Sequence, residues 1–308
     1  MSSSVATPAD WQITPCPPAW QQSAAELLLC EITDPAARKH RAAALLEQAA
    51  QGHYPLGLWV LMSQNQLRGA VWLMYHAGRT AGVLPPQGYE VPDEWLTKLL
   101  QAAIAEAWQQ QTVLLHALIP LEPTRLDSWW LENGFRSLGE LWYLDCLTLS
   151  CSSDPVSGPL QFLTYRPEWH QRLAEVVKAS YQDTLDLPLL NGVRDVQDVL
   201  IGYQAQGTFD PARWLIAQHD GVDVGCLLLA DHPTEDAWEL VYMGLIPSAR
   251  GHGWGRQLIQ HAQHLTQQAG RRRLFLGVDR LNLPALHLYQ QTGFRLFSAT
   301  RAIALWAV

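Results

Sequence analysis

The chain has 308 residues and a formal net charge of −8, a length that favours two domains over one. With 48% hydrophobic residues it is neither disordered nor collagen-like, and its acidic balance argues against whole-molecule attraction to nucleic acid or an anionic membrane. The total hides an uneven distribution: residues 160–240 carry 13 acids against 5 bases, whereas 241–308 carry 8 bases and a single acid, Asp279.

The opening stretch Met1–Trp11 is polar and lacks the apolar run of a secretory signal. No apolar run approaches the ~18 residues that would cross a bilayer. Five cysteines (Cys16, Cys30, Cys146, Cys151, Cys226) without a C-x-x-C pair argue against a disulfide framework and a zinc site. A soluble, cytoplasmic, metal-free protein is expected.

In chain order, the first half offers an apolar strand at Val113–Ile119, then a short helix ending at Gly134 and an aromatic-rich strand. The most linker-like stretch, 150–159 (SCSSDPVSGP), separates residues 1–149 from 160–308. Beyond it the pattern predicts a helix at Pro167–Tyr181 and another at Asp195–Gln206. Strands follow at Trp214–Gln218 and Val222–Ala230, joined by the hairpin turn Asp220-Gly221. A strand at Trp238–Ile246 leads through a glycine-rich turn into a helix, Gly255–Gln268, stopped by Gly270. On that helix His261 and His264 read as solvent-facing. Strand Leu274–Asp279, helix Pro284–Gln291 and strand Phe294–Ala307 complete a mixed α/β (α+β) domain. At an offset of 159 residues, Trp130, Gly134, Phe135 and Arg136 fall on Tyr289, Gly293, Phe294 and Arg295, which reads as an internal duplication.

The segment that carries chemistry is Glu239–Ile259, ELVYMGLIPSARGHGWGRQLI, with an R-x-x-G-x-G pattern at Arg250, Gly253 and Gly255. Glycines between a strand and a helix let the backbone turn tightly and approach a ligand. Their N–H groups, at a helix N-terminus, favour phosphate oxygens. Arg250 and Arg256 can add charge-assisted bonds to a pyrophosphate, and the arginines Arg271–Arg273 fit the same anionic partner.

This segment resembles motif A of the GNAT superfamily of acyl-CoA-dependent N-acyltransferases, and the element order from about Gln161 to Val308 is similar to a whole GNAT domain. The resemblance implies two tandem GNAT-like domains, each a twisted mixed sheet flanked by helices. It implies acetyl-CoA as co-substrate, its pyrophosphate held by the turn Arg250, Gly251, His252, Gly253, Trp254, Gly255 and Arg256. The backbone of Met243, Gly244 and Leu245 would bond the pantetheine arm and the acyl carbonyl, with Leu245 the expected oxyanion donor. In the second signature, Asn282 through Phe294, Asn282 would sit beside the pantetheine and Tyr289 would protonate the departing thiolate. Asn282 also reads as a helix N-cap. A general base stays open between Glu239, at the start of the strand, and Asp183 or Asp186, after the first helix. A solvated acidic surface accounts for all three equally well.

The first half lacks the phosphate turn. Where it should stand the chain reads AGVLPPQGYEVPDE, Ala81–Glu94. Pro85, Pro86 and Pro92 remove backbone donors, and Glu90, Asp93 and Glu94 would repel a pyrophosphate. Trp130 stands where Tyr289 stands, and an indole is no acid at neutral pH. Residues 1–149 therefore read as a degenerate GNAT-like domain. The expected activity is acyl transfer from acetyl-CoA to a small-molecule or peptide amine. The competing expectation is an acyl-CoA-binding sensor without turnover.

Overall fold

The computed structural model describes residues 10–51, 54–124, 126–148 and 157–307. Of the expected linker 150–159, residues 150–156 lie outside that set, as do residues 1–9 of the opening stretch. The chain divides into two compact units.

The first unit holds residues up to Ala117, with Trp129–Phe135 and Ala304 onward. Its strands β1 (Trp11–Pro15), β2 (Leu58–Ser63), β3 (Gln66–His76) and β4 (Thr80–Gly88) pair antiparallel in that order, and β5 (Leu114–Ile119) joins β4 in parallel. Helices α1 (Gln21–Leu28) and α2 (Pro35–Gln51) bury Ala24, Leu28 and Leu45 with Val60 and Trp72 of the sheet. Helix α3 (Asp93–Gln109) follows β4 after only four residues, with Asp93 and Glu94 in its first turn. Pro85 and Pro86 fall where the β3–β4 register slips, a position that tolerates residues without an N–H. Trp130, on α4 (Leu126–Glu132), is buried against Phe135 with ring centroids 4.7 Å apart.

The second unit comprises Leu118–Ser128 and Arg136–Ile303. Its elements are β6 (Arg136–Leu147), β7 (Gln161–Thr164), α5 (His170–Ser180), α6 (Val196–Gln204), β8 (Trp214–His219), β9 (Val222–His232), β10 (Ala237–Leu245), α7 (Trp254–Gln268), β11 (Arg273–Asp279), α8 (Leu283–Gln291) and β12 (Arg295–Trp306). Strand order within the unit is β12-β6-β11-β10-β9-β8-β7. The unit therefore takes β6 from the sequence before the linker, so its limits in space cut across the division 1–149 and 160–308.

The apolar run Val224–Ala230 is buried on both faces, as expected of a strand covered twice. Because successive side chains point to opposite faces, Leu227 and Leu229 pack with Leu258, Ile259 and Ala262 of α7. Cys226 and Leu228 pack with Leu173, Val177 and Leu200 of α5 and α6. Helix α7 also buries Gln257 and Gln263, each satisfied by backbone: Gln257 exchanges hydrogen bonds with Leu160, and Gln263 donates to Thr292 O at 2.7 Å. His261 is not solvent-facing: its ring stacks on Phe162 at 3.9 Å, and burial pulls its pKa down to about 4.

The basic tail is largely neutralised within the unit. Arg271 forms a two-pronged pair with Asp231, Arg272 pairs with Asp236, Arg273 with Asp145 and Glu235, and Arg280 with Glu140. The arginines Arg271–Arg273 thus answer the acidic stretch 160–240 and β6, and line neither cleft described below. Arg301 of β12 grips Asp127 through both carboxylate oxygens (2.6 and 3.0 Å) and donates to Pro120 O and Glu122 O. The Arg301 bonds hold Asp127 down to a pKa of about 2, against an ordinary 3.8. A depressed folded-state pKa stabilises the fold above the unfolded value and is lost on acidification. The stability of the wild type should therefore drop between about pH 4 and pH 2 by a component that Arg301→Met lacks, read from urea midpoints across that range.

Candidate active site

Strand β10 runs parallel to β11 only where Ala237–Glu239 face Arg273–Phe275. Beyond that point β11 keeps its antiparallel partner β6, down to Asp279 opposite Leu141, while β10 follows β9. The β9–β10 register slips between Leu240 and Tyr242, leaving Val241 as an extra residue, a bulge that bends the strand. The two parallel strands so part, and a cleft of about 240 Å³ opens between them. It is lined by Leu240–Leu245 on one side, Leu276–Val278 on the other, and by Asp183–Asp186, Asn282 and Tyr289. A second cleft of about 450 Å³ shares Met243, Gly244, Leu245, Arg250 and Asn282 with the first and extends along Gly251, Gly253, Gly255 and Arg256.

The glycine turn has the backbone its residues predict. Gly251 and Gly253 have φ of +83° and +77°, and no atom lies within 4 Å of where a Cβ would project. A side chain there is disfavoured by conformation and not by crowding. Gly253 is the N-cap of α7 and offers no capping side chain, so first-turn N–H groups stay available to an anion. Gly255 is different, because a Cβ would approach Leu288 of α8 to 3.1 Å.

Arg250 lines both clefts, yet its guanidinium is already engaged. It donates to Leu245 O (3.2 Å), Ser180 O (2.9 Å), Gln182 O (2.8 Å) and Asp183 O (3.3 Å). It thereby ties the end of β10 to the carbonyls at the end of α5, a favourable place for a cation. Arg256 is exposed and donates to Gln291 Oε1 on α8. His252 and Trp254 stack on each other at 4.8 Å, Trp254 also meets His219 edge-on, and neither side chain lines a cleft.

Gly244 permits a buried hydroxyl pair. Ser180 Oγ donates to Val177 O and lies 2.8 Å from the Tyr242 hydroxyl. A Cβ on residue 244 would come within 2.6 Å of Ser180 Oγ and 2.7 Å of that hydroxyl. Gly244→Ala should therefore cost about 1–3 kcal/mol of stability by overpacking, seen as a lower denaturation midpoint at unchanged m-value. The hydroxyls escaped the sequence reading because Ser180 and Tyr242 belong to a helix and a strand 62 residues apart.

Tyr289 lies on α8 at the first cleft, 7% exposed and against Phe294 at 5.6 Å. Burial, and then the negative charge of Asp186, raise its pKa above the ordinary tyrosine value. Asn282 caps α8, its Oδ1 accepting Ala285 N–H at 3.4 Å. Glu239 lines neither cleft: its carboxylate takes a hydrogen bond of 2.9 Å with His232 Nε2. Burial raises its pKa and the His232 bond partly reverses that. Asp183 and Asp186 do line the first cleft. The residue as a whole is exposed, yet enclosure of its carboxyl in the cleft pushes Asp186 above the ordinary carboxylate value, only partly offset by the hydrogen bond it accepts from Asp279 N–H. Among the described residues no group of three His, Cys, Asp or Glu side chains could hold a metal ion, and no helix is long and apolar enough to cross a membrane.

Residues 181–294, which include every residue lining the two clefts except Ser180, match the family described as the acetyltransferase (GNAT) family. A mycothiol acetyltransferase of Thermomonospora curvata is 37% identical over 95 residues, 31% of this chain and 32% of that protein. An amino-acid acetyltransferase of Ralstonia nicotianae is 24% identical over 135 residues, 41% of this chain and 29% of that protein. The matched stretch thus spans about a third of the length of these two relatives. Among solved structures, a GCN5-related N-acetyltransferase from Sphaerobacter thermophilus superposes with a TM-score of 0.64 at 15% identity, over 97% of this chain and 96% of that one. A tandem GNAT protein from the clavulanic acid biosynthesis pathway gives 0.53 at 13% identity, over 97% and 99%. At such identities the likeness is one of fold.

Proposed function

We propose that this protein transfers an acetyl group from acetyl-CoA to an amine by direct attack, with the chemistry in the 160–308 half and residues 1–149 acting as a GNAT-like scaffold without a phosphate turn. The observation that carries this reading is the cleft between β10 and β11, continuous through Met243–Leu245 with an uncapped, glycine-lined helix N-terminus. Acetyl-CoA would supply the activated thioester.

The N–H groups of the 251–255 turn and the Arg256 side chain fit its pyrophosphate. His252 and Trp254 would contribute backbone only. The Arg250 guanidinium, spent on four carbonyls, would shape the turn and leave the phosphates to its neighbours. Backbone of Met243, Gly244 and Leu245, freed from β11 by the divergence, fits the pantetheine arm, with Asn282 beside it. Leu245 N–H is the proposed donor to the oxyanion that amine attack creates, a role in which a preorganised N–H counts most. Tyr289, kept protonated by its surroundings, suits proton donation to the leaving thiolate. Glu239, outside the clefts and bound to His232, is poorly placed as the base.

Thiol release from acetyl-CoA with a panel of amines, beside calorimetric titration of acetyl-CoA, tests the reading. Release with at least one amine supports it. Binding without release from any amine favours a sensor, and absence of binding sinks both.

A further inference from the structure

We infer that the acceptor is a primary amine carried on an apolar body, with Asp186 taking the ammonium proton and Leu185 and Leu281 flanking the body. This deepens the acyl-transfer reading and rests on it.

The cleft's outer wall is the loop after α5. It is anchored by a reciprocal clasp with the end of β11: Asp279 N–H donates to Asp186 Oδ1 (2.8 Å), while the Asp279 carboxylate accepts Leu187 N–H (3.2 Å) and Leu281 N–H (2.8 Å). Asp279, the one acid of the basic tail, is 2% exposed. The clasp holds Leu187 at φ +42°, a left-handed conformation that a leucine does not adopt unaided. It also sets the Asp186 carboxyl at the cleft, near enough for its charge to be felt by Tyr289 and Tyr242. One Asp186 oxygen is committed to Asp279 N–H. The other takes no hydrogen bond from the described residues, and Asp186 both lines the cleft and keeps a solvent-exposed flank, which gives the proton an exit.

The same clasp ties together two leucine-bearing segments, of which Leu185 and Asn282, the neighbour of Leu281, line the cleft. Leu185 lines the cleft and is 51% exposed, Leu281 is 72% exposed, and Leu189 and Leu283 beside them are exposed too. Apolar side chains gathered at the mouth of a cleft mark a surface that is covered in use. What must pass that rim on the way to the thioester is the acceptor. A carboxylate inside and leucines outside select one positive nitrogen followed by an apolar body.

The step balances as follows. Asp186 takes one proton from R–NH₃⁺ and passes it to solvent. The freed lone pair forms the N–C bond, and the C–S bond breaks with its electron pair on sulfur. The thiolate takes the Tyr289 proton, and the second nitrogen proton returns to the Tyr289 oxygen through solvent. One amide, one thiol and one released proton result.

The test uses the full chain with 2-phenylethylamine, ethanolamine and aniline as acceptors. Expected is a kcat/KM for 2-phenylethylamine about tenfold or more above that for ethanolamine. Asp186→Asn, whose Oδ1 can still accept the Asp279 N–H, should lower kcat/KM for 2-phenylethylamine by about 10²–10⁴. It should lower that for aniline, already neutral at the assay pH, by less than about tenfold. Leu185→Ser and Leu281→Ser, at exposed positions, should each shrink the 2-phenylethylamine-to-ethanolamine ratio several-fold. An equal loss for all amines in Asp186→Asn, or no preference for the apolar amine, overturns the inference while acyl transfer stands. No thiol release from any amine overturns the acyl-transfer reading itself.

Discussion

Replacing Tyr289 with phenylalanine is expected to lower kcat by about 10²–10⁴, the range for a lost general acid, with acetyl-CoA affinity nearly unchanged. The prediction follows from where the hydroxyl sits. It makes no hydrogen bond to the described residues, so the variant keeps the ring's packing against Phe294 and loses only the proton donor. Burial and the neighbouring Asp186 charge keep the phenol protonated, so an acid role suits it and a base role does not. In the proposed reaction, collapse of the oxyanion would then have to expel a bare thiolate. Single-turnover rates beside calorimetric binding of acetyl-CoA separate the two quantities. A fall in affinity as large as the fall in rate would assign Tyr289 to binding instead.

A fragment of residues 160–308 is expected not to fold, whereas one of residues 118–308 should hold the second unit's sheet together. Strand β6 pairs with β11 along seven residues, Leu141–Leu147 against Arg273–Asp279. Its Leu144 and Cys146 are 2% and 4% exposed in the same core as Leu274, Leu276 and Val278. Losing a buried leucine alone costs about 2–5 kcal/mol, and total domain stability is only about 5–15 kcal/mol. Removal of the residues before 160 also strips Asp145 and Glu140 from Arg273 and Arg280, and Thr148 from the backbone of Arg271. The bared edge of β11 would invite aggregation. Soluble yield and thermal melts of the two fragments decide the matter. A cooperative melt of 160–308 near that of the full chain would show β6 to be dispensable.

Much of the second unit was legible because its sequence punctuates itself. Asp220-Gly221 adopts positive φ at both residues, as a two-residue hairpin turn needs. Gly253 and Gly270 sit at the two ends of α7 with positive φ. The Arg250–Arg256 turn was found by residue type and spacing, and the glycines there behave as that pattern requires. What the sequence could not show is which partner each charge chooses. An arginine in a glycine turn reads alike whether it faces phosphate or, as Arg250 does, carbonyls near residue 180. The run Arg271–Arg273 suggested an anionic ligand because its acids lie 36–40 residues upstream and, for Asp145, 128 residues upstream. His261 reads as exposed from sequence because nothing local reveals the Phe162 ring stacked on it. The pairing of β6 with β11 was hidden because strand partners are chosen by register and burial across the chain.

The residue content of the two units has a bearing on how the protein is made. The first unit includes residues 304–307, and the second reaches back to Leu118. The core under α1 and α2 draws on residues 16–84 alone and is complete early on the ribosome, whereas the core between the second unit's sheet and α7 spans Leu144 to Phe294 and closes only when nearly the whole sequence has emerged. The usual order, in which an N-terminal domain folds while its successor is still being synthesised, is thus open to the α1–α2 side of the first unit. The apolar run of β9, Leu227 and Leu229 among it, must wait for α7 and β11, which makes it a natural client for chaperones during translation.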